Sequence, residues 1–267
     1  MIFNMGGFNP LAAMPEFSYS GTYKVIDDDK NGTTQNWRIR FLTSGKFVPK
    51  WNMTIDAFLV GGGGSGCAGS GGGGGGGYTN TQKGIELKAG EEYTITIGAG
   101  GAKVSSNEGG YNTGASGNNG KQTSAFGYTA NGGQGGQKAD DTYPYGYGGQ
   151  GGSGGGAGRA NGGSDGNDGE DNKSTTAGPG KGGKGQWSTT KEFGTGTLYS
   201  GGGGGGSVPD SGTYTSYAGG SGGGGATCKS GTTNTGGGGG GGLYRPSENG
   251  YQAGAGGSGI VIIRNAR

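Results

Sequence analysis

Seven consecutive glycines, Gly71–Gly77, constrain this chain more than any other stretch. They stand between two strand-like runs, Ile55–Val60 and Tyr93–Ile97, and glycine tracts return at 61–64, Gly201–Gly206 and Gly236–Gly242. Ordering a backbone costs roughly 1–2 kcal/mol per residue, and glycine loses the most freedom. Such tracts either remain flexible linker or order as a cooperative array. The tracts are uniform and the segments between them are not, which suits a lattice that admits only glycine. With 79 glycines in 267 residues and 27% hydrophobic residues, a conventional core for the whole length is not available. A collagen-like answer fails for want of a Gly-X-Y period with abundant proline. What remains is a set of left-handed polyproline-II-like glycine helices, with three residues per turn and no internal hydrogen bonds. Their N–H and C=O groups must find partners on neighbouring helices. At roughly 3.1 Å per residue, Gly71–Gly77 reaches about 22 Å.

The apolar residues cluster outside the tracts. Tyr19, Tyr23 and Val25 alternate, and Asn31-Gly32 reads as a hairpin turn. Trp37, Ile39 and Phe41 share one face of a strand, with Arg38 and Arg40 on the other. Ser44-Gly45 reads as the next hairpin turn, followed by the strand at Ile55–Val60. Leu87, Tyr93, Ile95 and Ile97 alternate around a turn at Ala89-Gly90. The closing run, Ile260–Arg264, is continuously apolar up to its arginine, as in a strand buried on both faces, and is expected to pair with the first strand. The expected fold is mostly β, an antiparallel, jelly-roll-like sandwich with a large inserted bundle of polyglycine-II helices and essentially no α-helix. Its parts are a terminal arm over residues 1–16, a β-rich part with the first tract over 17–101, the glycine bundle over 102–258 and a closing strand over 259–267. The apolar arm reads equally as an attachment peptide and as a segment packed on its own domain.

Catalysis finds little support. The chain has no histidine, which removes the commonest general base and metal ligand. No catalytic residue, cofactor or metal site is therefore expected. The stretch Gly178–Gly185 resembles a phosphate loop, but Gly185 stands where Ser or Thr is required. Asp165, Asn167 and Asp171 fall short of a calcium loop, because Glu170 occupies the turn glycine's place. Lys and Arg number 20 against 18 Asp and Glu, with no basic stripe to bind nucleic acid and no apolar run long enough to span a membrane. The N-terminus lacks the basic and apolar regions of a secretory signal, so assembly in a cytoplasm is expected. Cys67 and Cys228 could be bonded or free, and a reducing compartment favours free thiols.

The polar spacers between tracts carry aromatic residues among Ser, Thr, Gly and Asn: Tyr143, Tyr145, Tyr147, Trp187, Phe193, Tyr199, Tyr214, Tyr217, Tyr244 and Tyr251. Recognition loops use this composition, because a rigid ring gives contact area and the small polar residues adapt their hydrogen bonds. Tyr143, Tyr145, Tyr147, Trp187, Tyr199, Tyr214, Tyr217 and Tyr244 are the candidate receptor-binding residues. The other role open to these rings is capping the ends of glycine helices.

The pattern carried by Phe41–Phe47, Asp56–Gly66, Gly71–Tyr78, Gly90–Gly101, Thr123–Gly127 and Gly256–Arg264 resembles a glycine-rich domain common in bacteriophage and prophage tail proteins. The tracts divided by variable segments are similar to those of T-even-type tail-fibre tip adhesins. The resemblance implies a virion tail or fibre protein assembled in the host cytoplasm. Its arm and β domain would join other tail proteins, and its loops would meet a host-surface glycan or outer protein. It implies a homo-oligomer, with a trimer the common arrangement in fibres. A purely structural virion role without a receptor is the alternative.

Overall fold

A computed structural model describes residues 15–27, 36–69, 71–106, 114–138, 146–158, 190–194, 196–207, 215–245 and 250–266. The arm at 1–14, the Asn31-Gly32 turn, and the phosphate-loop and calcium-loop stretches lie outside them. The strands are β1 (Phe17–Tyr19), β2 (Tyr23–Asp27), β3 (Trp37–Phe41), β4 (Gly45–Pro49), β5 (Met53–Val60), β6 (Thr79–Leu87), β7 (Tyr93–Ile95), β8 (Ser105–Ser106), β9 (Thr123–Ala125), β10 (Tyr128–Ala130), β11 (Gly206–Ser207), β12 (Thr215–Ser216), β13 (Leu243–Arg245), β14 (Gly250–Gln252) and β15 (Ile260–Asn265). No α-helix occurs among the described residues.

Two antiparallel sheets form the sandwich, one ordered β2-β3-β15-β5-β6 and the other β1-β4-β7. Strand alternation sends Trp37, Ile39, Phe41, Ile55, Ala57, Leu59, Val261 and Ile263 into the core between them, against Phe47 and Ile95. Removing this apolar surface from water is the main term holding the sandwich together. The hairpin β9–β10 adds Ala125 and Ala130 to the same core, so this part of the expected glycine bundle belongs to the sandwich.

Two expectations about strand pairing need correction. Ser44-Gly45 is no hairpin turn: β3 and β4 lie in different sheets, and 42–44 carries the chain across the sandwich. The Ser44 hydroxyl accepts from Ile97 N at 2.9 Å, fixing that crossing. Nor does the last strand pair with the first. β15 lies between β3 and β5, while β1 pairs with β4. A strand with both neighbours in place and both faces covered can be apolar throughout, and Ile260–Ile263 are all buried.

The glycine tracts grow out of the larger sheet. β5 and β6 pair as far as Val60 opposite Thr79. Beyond this point Gly61 N donates to Tyr78 O, Gly64 N to Gly75 O and Cys67 N to Gly72 O. The same two chain segments thus stay paired, but a bond now forms at every third residue. The intervening groups turn to other partners. Gly62, Ser65 and Ala68 donate to Lys121, Asn118 and Ala115, and Gly63 and Gly66 donate to Gly257 and Gly254. On the acceptor side, Gly62 and Ser65 receive from Gly133 and Gly136, Gly64 and Cys67 from Gly239 and Gly242, and Gly63 from Gly101. Segment 61–68 therefore has six neighbours and a repeat of three, which is the polyglycine-II arrangement.

Segments 72–78 and 236–242 are surrounded in the same way, and the three inner segments bond to one another. Among the described residues nine more ring them: 98–102, 115–121, 131–137, 146–152, 153–158, 200–206, 224–228, 229–232 and 253–259. Each bonds to the next, and the last returns to the first through Gly256 N and Gly101 O. Such closeness leaves room for few side chains in the interior, where segment 61–68 carries only Ser65, Cys67 and Ala68. A Cβ on Gly74 would come under 3.0 Å from Gly64 O and Ser65 O, and one on Gly238 equally close to Gly74 O.

The outer face of the larger sheet carries Phe58, Val60, Ile260 and Ile262, covered by Phe193 and Tyr199 from a loop described at 190–194 and 196–199. Glu192, from that loop, is buried and joins Arg38 Nη1 at 2.5 Å and Arg40 Nη2 at 2.8 Å. Buried Asp56 holds Arg264 at 3.0 Å, and the Arg264 guanidinium lies 4.2 Å over the Phe193 ring. The arginine face of β3 is thus a docking surface for a loop that lies far away in the sequence.

Candidate recognition surface

The lattice gives the molecule two poles. Glu16 O accepts from Lys50 N, and Ala266 N donates to Thr54 O, so both ends of the described chain lie at the sandwich pole. Trp51 stands there, 50% exposed. At the opposite, distal pole the tracts reach their last lattice bonds. Gln137 N donates to Tyr147 O, Gly206 N to Gly71 O and Gly242 N to Cys67 O. Several spacers are rooted at this level, three of which carry candidate tyrosines. One lies between Lys138 and Gly146, one is carried by β11–β12, and one is carried by β13–β14.

The distal side chains are held from beneath by the lattice. Tyr147 is 41% exposed on a backbone fixed by Gln137. Lys138 beside it donates its N–H to Ser116 Oγ at 3.3 Å. Tyr217 is half-buried, and its N–H donates to Thr227 Oγ1 at 2.7 Å. That buried hydroxyl in turn donates to Gly205 O at 2.6 Å, tying Tyr217 to the end of a glycine helix. Tyr244 is paired in register with Tyr251, which is buried, and β14 also pairs with β8. Small β ladders thus close the distal face and hold its spacers. A ring fixed from below presents a rigid amphipathic surface to whatever lies above it.

Not every candidate belongs to this surface. Tyr199 is 3% exposed and packs on Phe58, ring centroids 5.5 Å apart, at the sandwich end. Its hydroxyl donates to Glu192 Oε2 at 3.2 Å. Burial first, then the Glu192 carboxylate, holds the phenol well above its usual range. Tyr199 is therefore a core residue and leaves the recognition set. Phe193 lies in the same loop and packs on Phe58. Tyr143, Tyr145, Trp187 and Tyr214 lie outside the described residues, as does the side chain of Tyr244. Of the eight candidates, the structure brings Tyr147, Tyr217 and the backbone of Tyr244 to one pole.

Sequence reasoning passed over Trp51, whose signal was an isolated tryptophan between two strand patterns. It also passed over Glu192 and Asp56, whose partners are remote in sequence. Cys67 and Cys228 are free. Both border one stretch of glycine, since Gly242 N donates to Cys67 O and Cys228 N to Gly241 O. Burial pushes the Cys67 thiol up to about 12, with Lys138 pulling weakly the other way. A thiol so held is protonated and inert at neutral pH. Among the described residues no three His, Cys, Asp or Glu side chains gather as a metal site would require.

Residues 42–266 match a glycine-rich domain family, covering the sandwich from the β3–β4 crossing to the end of β15 together with the whole lattice. The chain belongs to this glycine-rich domain family. No curated protein matches it significantly. The glycine-rich domain match begins at Leu42, one residue after β3. Strands β1 to β3 thus precede the matched region, yet β3 flanks β15 and contributes Trp37, Ile39 and Phe41 to the core.

Proposed function

We propose that this glycine-rich domain protein is a bacteriophage virion protein of the tail or fibre tip. In this reading it is a receptor-binding adhesin that meets a host cell-surface molecule, glycan or outer protein, through its distal spacers. The observation that carries the reading is the division of labour between the poles. Both ends of the described chain and exposed Trp51 stand at one end. The aromatic-bearing spacers are rooted at the other, across a lattice that fixes their bases. A rigid scaffold with variable loops at one end is how recognition surfaces are commonly built. The sandwich pole and the arm at residues 1–16 would join other tail proteins, and the protein would reside in the virion after assembly in the host cytoplasm. The inert thiol and the crowded glycine interior suit a scaffold better than a catalyst.

The test is saturable binding of purified protein to whole cells of candidate hosts. A variant with Tyr147→Ala and Tyr217→Ala, and a second with Tyr143→Ala, Tyr145→Ala and Tyr214→Ala, should remain folded. Binding to a narrow set of hosts, weakened by at least one variant, is the expected result. Absence of binding to every host, with normal incorporation into particles, would leave a purely structural virion role.

A further inference from the structure

Among the described residues, one outer position of the glycine lattice stands open. Segments 98–102 and 115–121 lie side by side in the ring, joined by Lys121 N to Ala99 O at 2.8 Å. Between them, on the outside, runs a groove of about 540 Å³ lined by Ala99, Gly100, Ala102, Gly117, Asn119 and their neighbours. Every interior position over two adjacent helices is filled by a third. The ring has an outer precedent too. Segment 217–220 sits over 200–206 and 224–228, with Gly220 N donating to Gly202 O and Thr227 N donating to Tyr217 O. That occupant, Tyr-Ala-Gly-Gly, shows what an outer position accepts: an extended chain with glycine toward the lattice and side chains tolerated outward.

The open groove offers the bonds such a chain needs. The N–H groups of Ala99 and Ala102 and the C=O of Asn119, which the threefold register turns toward this groove, have no hydrogen-bond partner among the described residues. Other backbone groups of the same two segments, including Gly101 N, Gly117 N and Asn118 O, are bonded into the lattice. Because the repeat is three residues, only a chain of three residues per turn can meet successive outward groups. We infer that this groove is a docking position for an extended glycine-rich segment of a partner protein, which becomes the next helix of the lattice. This is strand addition to a sheet edge transposed to a threefold helix, with backbone bonds supplying affinity and steric crowding selecting glycine. The inference is independent of the adhesin reading, because the groove lies on the flank of the lattice and involves none of the distal tyrosines.

A labelled peptide of Gly-Gly-Ser repeats is the probe, titrated against the full-length protein while amide hydrogen exchange is followed residue by residue. The peptide should bind saturably and slow exchange at Ala99 and Ala102. A proline-rich peptide, which holds the same helix but lacks the N–H donors, should protect them less. The double variant Ala99→Leu, Ala102→Leu fills the groove from exposed positions without entering the lattice, and should abolish both effects. Unchanged exchange at Ala99 and Ala102, or equal binding to the filled variant, overturns the proposal. Protection that instead rises with protein concentration alone, together with a doubled mass, would give the groove to a second copy of this chain and equally overturn it.

Discussion

A methyl group on Gly74 would lie against the Gly64 carbonyl, whereas one on Gly90 would meet open space. Gly90 needs glycine for its own backbone, at φ 76°, and Gly74 for its neighbours. Gly90→Ala should therefore cost about 1–2 kcal/mol, the ordinary left-handed penalty. Gly74→Ala should cost about 3 kcal/mol or more, because no rotamer change relieves a clash with backbone. Denaturant midpoints of the two variants test this ordering. Glu192→Ala leaves Arg38 and Arg40 facing each other, and loss of a buried partner typically costs about 3–5 kcal/mol. The low end applies here, since both arginine side chains are about a quarter exposed. Cys67 gives a pH signature. Its folded value near 12 lies above the ordinary 9.0, so the fold favours the protonated thiol. That contribution is complete below pH 9 and fades as pH rises toward 12. Stability measured across this range should fall less steeply in Cys67→Ala than in the parent.

β15 organises the elements, with β3 on one side and β5 on the other. Deleting residues 1–41 would leave a chain close to the matched family region, yet with β15 as a bare edge and without Trp37, Ile39 and Phe41. Such an edge is an aggregation hazard. The truncated protein should be insoluble or unfolded on expression, and a soluble, cooperatively melting product would contradict the topology. β15 and β5 were legible in the sequence, because a short apolar run bounded by glycine admits few other readings. Their neighbours were not. Ser44-Gly45 carries a genuine turn signal, but a local signal cannot tell a hairpin from a crossing between sheets. Tyr199 sits among Ser, Gly and Thr like the exposed tyrosines, and only its distant partners Phe58 and Glu192 bury it. Within the lattice, identical glycines carry no information about which tract meets which. That choice is left to the strands at one end, the spacers at the other and the few residues with side chains, such as Ser65, whose hydroxyl accepts from Asn118 N.

At the scale of the molecule, stability should be distributed unlike that of an ordinary β protein. The inner segments 61–68, 72–78 and 236–242 have neither strand nor α-helix character, yet they are bonded on all sides. Their amides should exchange only with global unfolding, as slowly as those of β15, while β11–β12 exchanges by local opening. Rapid exchange in the inner tracts would show that the lattice is loose. The passage from a repeat of two to a repeat of three at Val60 has a further consequence, for length. A sheet strand that loses one residue turns its side chains over. A glycine helix that loses one residue rotates everything beyond by roughly 120° and aims each bond at the wrong neighbour, whereas loss of three shortens it by about 9 Å and restores every direction. These tracts therefore have a reading frame, kept in the folded chain, and insertions or deletions should survive in them only as triplets of amino acids, while the spacers are free to change by any number.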